Sequence, residues 1–407
     1  MAQRSALGYV DLILTAGCNL TCSYCYQNAK QPGRNMDQST VEKGVDLLLA
    51  STQRDLRLGL YGGEALIRFD MVRHAIEYAE RRLPAGKTIR YGIVTNGTLL
   101  DDEKADFLAR HDVETRISFD GVPAAQLERG RGTFPVLDRL LDRLRERHTL
   151  WFEDSIQIST TVTPRTVPHL ADSVDYFLAK DVRTILFSPQ ITDSSSFRVE
   201  SIEELRAQFA RIFEASVRLY EETGVIPVVD FRRTEPADDV HKPRGRAMCG
   251  APNGEVVAVD VDGVGYGCVM FAKSYQRFGS PFLTDQVAPL GLGQLADPGF
   301  SSALKLYPSV AKSSAIFHRK QDKRSSYRAC ADCEFLHECS ICPVSIGNIP
   351  GNDDPNRVPD FLCAWNLVVR DCRRRFPAQA TVLDFLMGTE RLPDLMRELE
   401  SFAKGTT

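Results

Sequence analysis

Between residues 26 and 248 the chain has no cysteine, and before residue 74 it has no histidine. It lacks any apolar run approaching the ~20 residues needed to cross a bilayer. No amino-terminal segment shows the charged, apolar and small-residue order of a signal peptide. An excess of basic charge is also missing: 50 Lys and Arg face 54 Asp and Glu, for a net charge of −4. These absences argue against a membrane-spanning, a secreted or a nucleic-acid-binding protein and lead to the expectation of a cytoplasmic one. The basic run "RDCRRRF" at 370–376 reads as a solvated helix face.

What is present is eleven cysteines, unevenly placed: Cys18, Cys22 and Cys25, then eight from Cys249 to Cys372. In a reducing compartment such a set points to metal binding or redox chemistry rather than to disulfides. The gap between the two groups predicts at least two functional units. Length agrees, since 407 residues exceed the ~250–300 at which single cores stop growing.

The first 230 residues alternate β-rich runs with amphipathic stretches. Expected strands are 9–15, 56–62, 89–95, 114–119, 156–163 and 183–189. Expected helices include 39–51, opened by Ser39 or Thr40 as cap with Glu42 behind it, and also 69–83 and 101–111. Alternation at this spacing predicts a parallel sheet, and six units predict a partial barrel with chemistry at the carboxyl ends of its strands. The three-cysteine segment follows the first strand, "YGGE" (61–64) ends the second, "TNG" (95–97) the third and "SFDG" (118–121) the fourth. All four therefore fall on one rim. The expected domains are 1–235, a cysteine-rich 236–375, and a helical tail over 376–407. Within the second, 255–271 reads as a β-hairpin turning at Asp262-Gly263.

Three thiolates are one too few for a four-iron cluster and leave one iron open to another ligand. A catalytic zinc site would normally add His or carboxylates, and no His precedes residue 74. The spacing Cys18-x3-Cys22-x2-Cys25, with Tyr24 before the third cysteine, resembles the radical SAM superfamily, and GGE, TNG and S-x-D-G extend the resemblance over residues 9–190. The resemblance implies one [4Fe-4S] cluster on Cys18, Cys22 and Cys25, with S-adenosyl-L-methionine on the open iron and a 5′-deoxyadenosyl radical as the product of its cleavage. It assigns Gly62, Gly63 and Glu64 to the methionine amino group and Asn96, Ser118 and Asp120 to the ribose and carboxylate. Tyr24 and the backbone near Ile191 would flank adenine. Arg129 could meet the carboxylate, but a solvated helix-end arginine is the favoured reading.

The later spacings, Cys249-x13-Gly263-x4-Cys268, then Cys330-x2-Cys333-x5-Cys339-x2-Cys342, then Cys363, resemble the SPASM extension of that superfamily. That resemblance implies two auxiliary [4Fe-4S] clusters, one on Cys330, Cys333, Cys339 and Cys363, the other on Cys249, Cys268 and Cys342. The fourth ligand of the second set is open, and Cys372 reads as a buried free thiol. In isolation the two CxxC pairs would also suit a zinc knuckle.

SPASM members mostly modify peptides. The expectation is thus an oxidoreductase that installs an oxidative crosslink in a ribosomally made peptide. It would draw electrons from a donor such as flavodoxin or ferredoxin, and a separate protein could hold the peptide leader, since the barrel begins by residue 9. The alternatives are a sulfatase-maturase-like enzyme, a small-molecule radical SAM dehydrogenase, and, from another class, a zinc-binding structural protein. Sulfatase maturases carry Asp directly after the cysteine of Gly-x4-Cys; here that position is Val269.

Overall fold

A computed structural model of the protein describes residues 7–27, 30–191, 200–232, 251–275, 281–317, 319–326, 329–336, 339, 341–349 and 351–377. Six strands follow the expected order: β1 (Tyr9–Ile13), β2 (Asp55–Tyr61), β3 (Thr88–Thr95), β4 (Glu114–Ser118), β5 (Ile156–Val162) and β6 (Ile185–Pro189). All pair in parallel with their sequence neighbours. The hairpin also forms, as β7 (Val256–Val259) and β8 (Val264–Tyr266), with Gly263 in the turn at φ +81°. A ninth strand, β9 (Gly291–Gln294), follows.

The sheet order is β6-β5-β4-β3-β2-β1-β7-β8-β9. β7 lies parallel to β1, from Tyr9 opposite Val256 to Leu12 opposite Val259. The later region thus continues the first sheet, and β1 becomes an inner strand. β6 and β9 stand at opposite ends of this order, so the barrel is partial and open.

Alternation along the strands sorts side chains into two faces. Val10, Leu12, Leu58, Leu60, Ile93, Ile117 and Ile158 are buried in one core with Val41, Val45, Val72, Ile76, Leu140 and Phe177 of the connecting helices. Each such aliphatic side chain contributes roughly 1.5–3 kcal/mol when fully buried. Asp37, not Ser39 or Thr40, caps the first helix, Gln38–Leu49, by accepting the Thr40 N–H. Asp37, two residues before Ser39, already fills the role, and Glu42 pairs instead with His74 at 2.9 Å.

The β6 edge is covered. Ile185 donates to the Pro227 carbonyl at 2.8 Å. The helix Asp360–Arg375 adds Trp365, which meets Phe187 and, edge to face at 5.1 Å, Phe209 of the helix Glu200–Thr223. The expected tail falls outside the described residues beyond 377. Among the described residues no helix is long and apolar enough to cross a membrane.

Candidate active site

The end of β1 and the end of β2 are laced together. Gly63 donates to the Thr15 carbonyl at 2.8 Å and Glu64 to the Gly17 carbonyl at 2.9 Å. A Cβ on Gly63 would stand 2.3 Å from the Gly17 oxygen, and one on Gly62 would stand 3.0 Å from Thr15. Glycine is needed here because two backbones touch. The loop that follows holds Cys18, Cys22 and Cys25, all half-buried and outside any disulfide. Burial raises the pKa of Cys18 and of Cys22. Three thiols on one short loop, with no His or carboxylate among them, are a donor set that fits an iron–sulfur cluster.

Glu64 is buried, and its oxygens already serve the chain. Oε1 accepts from the Thr95 hydroxyl at 2.6 Å and from the Leu66 N–H at 3.1 Å, and Oε2 accepts from the Asn96 N–H at 2.7 Å. A carboxylate has room for about four such bonds, so one position on Oε2 is left for a ligand. Burial raises the Glu64 pKa, and the bonds from Asn96, Thr95 and Leu66 work against that rise. The Asn96 amide donates to Asn19 Oδ1 at 2.8 Å and lies 3.9 Å from Cys18 Sγ, while its oxygen accepts from Thr98. Asn96 therefore braces the cysteine loop.

Asp120 is fully buried and holds three partners: the Tyr24 hydroxyl, Arg129 Nη2 at 2.9 Å and the Thr161 N–H at 2.9 Å. The Arg129 guanidinium also lies 5.4 Å from the centre of the Tyr24 ring. The expected solvated arginine is instead only 7% exposed. Its partners come from distant segments, so burial removes water while Asp120 supplies the compensating charge. Burial opposes the charge of Arg129, yet Asp120, Tyr24 and Cys22 keep its pKa raised. Ser118 ends β4, half-buried on the same rim. The Ile191 carbonyl, past β6, accepts from Asn348 at 2.9 Å, which ties the cysteine-rich region to that rim.

Cys330, Cys333, Cys339 and Cys363 are electrostatic neighbours of one another, the set expected for one auxiliary cluster. Burial pushes the Cys339 thiol up to about 12 and that of Cys330 up to about 11. Beside them Lys320 and Lys323 are buried. A cavity of about 510 Å³ reaches from Gln190 and Ile191 to Cys333, Cys339, Cys342 and Cys363, with Asp230 on its wall. In the other expected set Cys249 lies outside the described residues, and Cys268 and Cys342 are half-buried. Cys372 is a buried thiol in the helix Asp360–Arg375. Among the described residues no three His, Cys, Asp or Glu side chains converge closely enough to hold a single metal ion.

Below the cysteine loop, the second face of the sheet carries polar residues that sequence reasoning missed. Asp11, in the middle of β1, lies across Gly59 of β2, where a Cβ would come within 2.0 Å of its Oδ1. That oxygen is buried without a hydrogen-bond partner among the described residues. Tyr9, Tyr61, Arg57 and Arg116 act on Asp11 or on one another. Burial, then Asp11, pushes the Tyr61 hydroxyl up to about 12. The signal was an Asp inside the otherwise apolar run "YVDLILT".

Residues 12–152 match the family model of the radical SAM superfamily. A curated relative, an uncharacterized protein of Methanocaldococcus jannaschii, is 30% identical over 181 residues, 44% of this chain and 61% of that protein. A serine-type anaerobic sulfatase-maturating enzyme of Klebsiella aerogenes is 23% identical over 275 residues, 64% of this chain and 66% of that protein. The chain thus spans less than two thirds of either. The solved structure of native anSMEcpe with bound AdoMet and Kp18Cys peptide superposes with a TM-score of 0.68 at 16% identity, covering 90% of this chain and 98% of that one. The likeness is one of fold.

Proposed function

We propose, from the match of residues 12–152 to the radical SAM superfamily, that this chain is a SPASM-type peptide maturase that oxidatively crosslinks a ribosomally made peptide. The observation that carries the reading is the cysteine loop knitted to the Gly62–Glu64 strand end and backed by the buried Tyr24–Asp120–Arg129 group. When bound, a [4Fe-4S] cluster and S-adenosyl-L-methionine supply the reductive cleavage and the hydrogen-abstracting 5′-deoxyadenosyl radical.

The chain's part is to bind, orient and keep out water. Cys18, Cys22 and Cys25 would hold the cluster. Glu64 Oε2 offers its spare acceptor to a cationic amino group, and the glycines before it let backbone come close. Asp120 fixes the hydroxyl of Tyr24 and the guanidinium of Arg129, so that the tyrosine ring and a cation face the rim in one orientation. The two auxiliary clusters, on Cys330, Cys333, Cys339 and Cys363 and on Cys249, Cys268 and Cys342, would accept the electron left on the substrate. A peptide is the favoured substrate because the structural neighbour was solved with one. A flavodoxin- or ferredoxin-type donor and a separate leader-binding protein complete the proposal.

Similarity to sulfatase-maturating enzymes favours a second reading, oxidation of one side chain without a crosslink. Against it, Val269 occupies an apolar cluster with Ile13, Ala16 and Tyr275, where the maturase pattern calls for a carboxylate. The test is anaerobic purification followed by coexpression with a short peptide encoded beside the gene. We expect iron and sulfide near three clusters' worth, release of 5′-deoxyadenosine that Cys22→Ala abolishes, and a peptide lighter by two hydrogens that resists fragmentation between the joined residues. A peptide of that mass that fragments normally and reacts with a hydrazide would move the reading to the second. Colourless protein with stoichiometric zinc would end both.

A further inference from the structure

Lys30 carries an ammonium that nothing in the described chain accepts. Its Nζ is buried and has no hydrogen-bond partner. Lysine is almost never fully buried unless paired, because an uncompensated charge away from water is costly. Lys30 is half-buried along its stem and shields only its head, whereas the fully buried Lys320 and Lys323 obey that rule. Lys320 donates to the carbonyls of Leu336, at 3.2 Å, and Cys339, and Lys323 donates to that of Pro355 at 2.6 Å.

Nor is Lys30 on a stray loop. After Cys25 the chain turns back along the end of β1 and is pinned there. Gln31 donates to the Ala16 carbonyl at 3.2 Å, Ala16 to that of Arg34 at 2.9 Å, and Met36 to that of Leu14 at 2.9 Å. The Thr15 hydroxyl adds a bond to Asn35 Oδ1 at 2.6 Å. A lysine on an open surface would send its head to water, and this one cannot. The bond from Gln31 to Ala16 sets this segment beside the start of the cysteine loop, two residues before Cys18, and the Lys30 charge works against the burial-driven rise of the Cys18 and Cys22 thiols.

We propose that Lys30 is the built-in counter-ion of the group held by Cys18, Cys22 and Cys25, and that it raises that group's reduction potential. Three thiolates around a four-iron core of charge 2+ carry a net charge of −1, and one electron from an external donor makes it −2. A fixed cation in the neighbourhood of the cysteine loop favours the more negative state, the more so where water is excluded. The inference rests on reading these three cysteines as cluster ligands. In this role Lys30 touches no substrate and only sets the ease of reduction.

The test uses the full chain, reconstituted anaerobically with iron and sulfide, as wild type, Lys30→Met, Lys30→Arg and a Cys18/Cys22/Cys25→Ala triple variant. Subtracting the triple variant's electron paramagnetic resonance signal isolates the amino-terminal cluster, whose midpoint potential is read by redox titration. Lys30→Met is expected to disfavour one-electron reduction at least tenfold, a fall of about 59 mV. Lys30→Arg, which keeps the charge, should stay within about threefold of wild type. A Lys30→Met potential within twofold of wild type overturns the inference while leaving the proposed function standing. If Lys30→Met fails to retain iron at this site and Lys30→Arg retains it, the counter-ion role is supported. Loss in both overturns it, because charge alone would not then explain the requirement. A wild-type signal identical to that of the triple variant overturns the cluster reading, and this inference with it.

Discussion

Replacing Asp11 by Asn should make the protein more stable at pH 8, though it removes a buried charged group flanked by two arginines. Burial raises the Asp11 pKa from 3.8 to about 7, and Tyr9, Arg57 and Arg116 offset the rise only in part. The shift is about 3 units, and each unit corresponds to ~1.36 kcal/mol, so the proton is held roughly 4 kcal/mol more tightly in the folded chain than in the unfolded one. A carboxyl with a raised folded pKa contributes stability that is complete below 3.8 and is lost as the pH rises through about 7. At pH 8 the wild type therefore buries a carboxylate, whereas Asn keeps the shape and never ionises. Urea unfolding of the metal-free chain, followed by the fluorescence of Trp151 and Trp365 at pH 5, 6.5 and 8, measures the difference. Asp11→Asn should lead by up to about 4 kcal/mol at pH 8, and the lead should shrink steadily toward pH 4. A variant less stable at pH 8, or a difference that does not change with pH, would refute the reasoning. Groups kept at such cost cluster at functional sites, so the same variant should lose turnover while gaining stability.

Gly63→Ala sets a Cβ 2.3 Å from a main-chain oxygen that cannot swing aside, so the cysteine loop must move; iron should fall by one cluster's worth, with the remainder retained. Arg129→Met leaves Asp120 buried without its cation, and thermal unfolding should report a loss of about 3–5 kcal/mol, only partly restored by Arg129→Lys because the stacked, planar group is gone. Trp365→Ala empties the contact between β6 and the Asp360–Arg375 helix, at a cost of about 3–5 kcal/mol. Limited proteolysis of that variant should begin near residue 360 rather than in the first sheet.

Local pattern made the first six strands and the three-cysteine loop readable, because alternation and spacing are properties of short windows. Pairings over long separations were not. Nothing near Tyr9 announces that Val256 will lie beside it, and nothing near Arg129 announces Tyr24, more than a hundred residues earlier. Arg129 looked like an ordinary helix-end residue because its burial depends on Asp120 and Thr161 being brought together. Asp37 displaced Ser39 as a cap for a local reason: both suit the position, and two residues of register decide between them. Lys30 was unreadable because its distinction is a missing partner, which only a fold can reveal.

The seating of β7 against β1 has a consequence for any attempt to dissect the chain. Residues 1–235 hold the three-cysteine loop and all the motifs of the first rim, and would be the natural fragment to express. Without β7, however, Tyr9–Leu12 would become a bare sheet edge, its donors and acceptors turned outward and ready to zip onto another molecule. The strand that launches the cysteine loop would then be free to slip, and a slip of one residue turns Asp11 and Ile13 to the opposite face. The hairpin that carries Cys268 is thus also a splint, and the shortened protein should clump rather than work at reduced capacity.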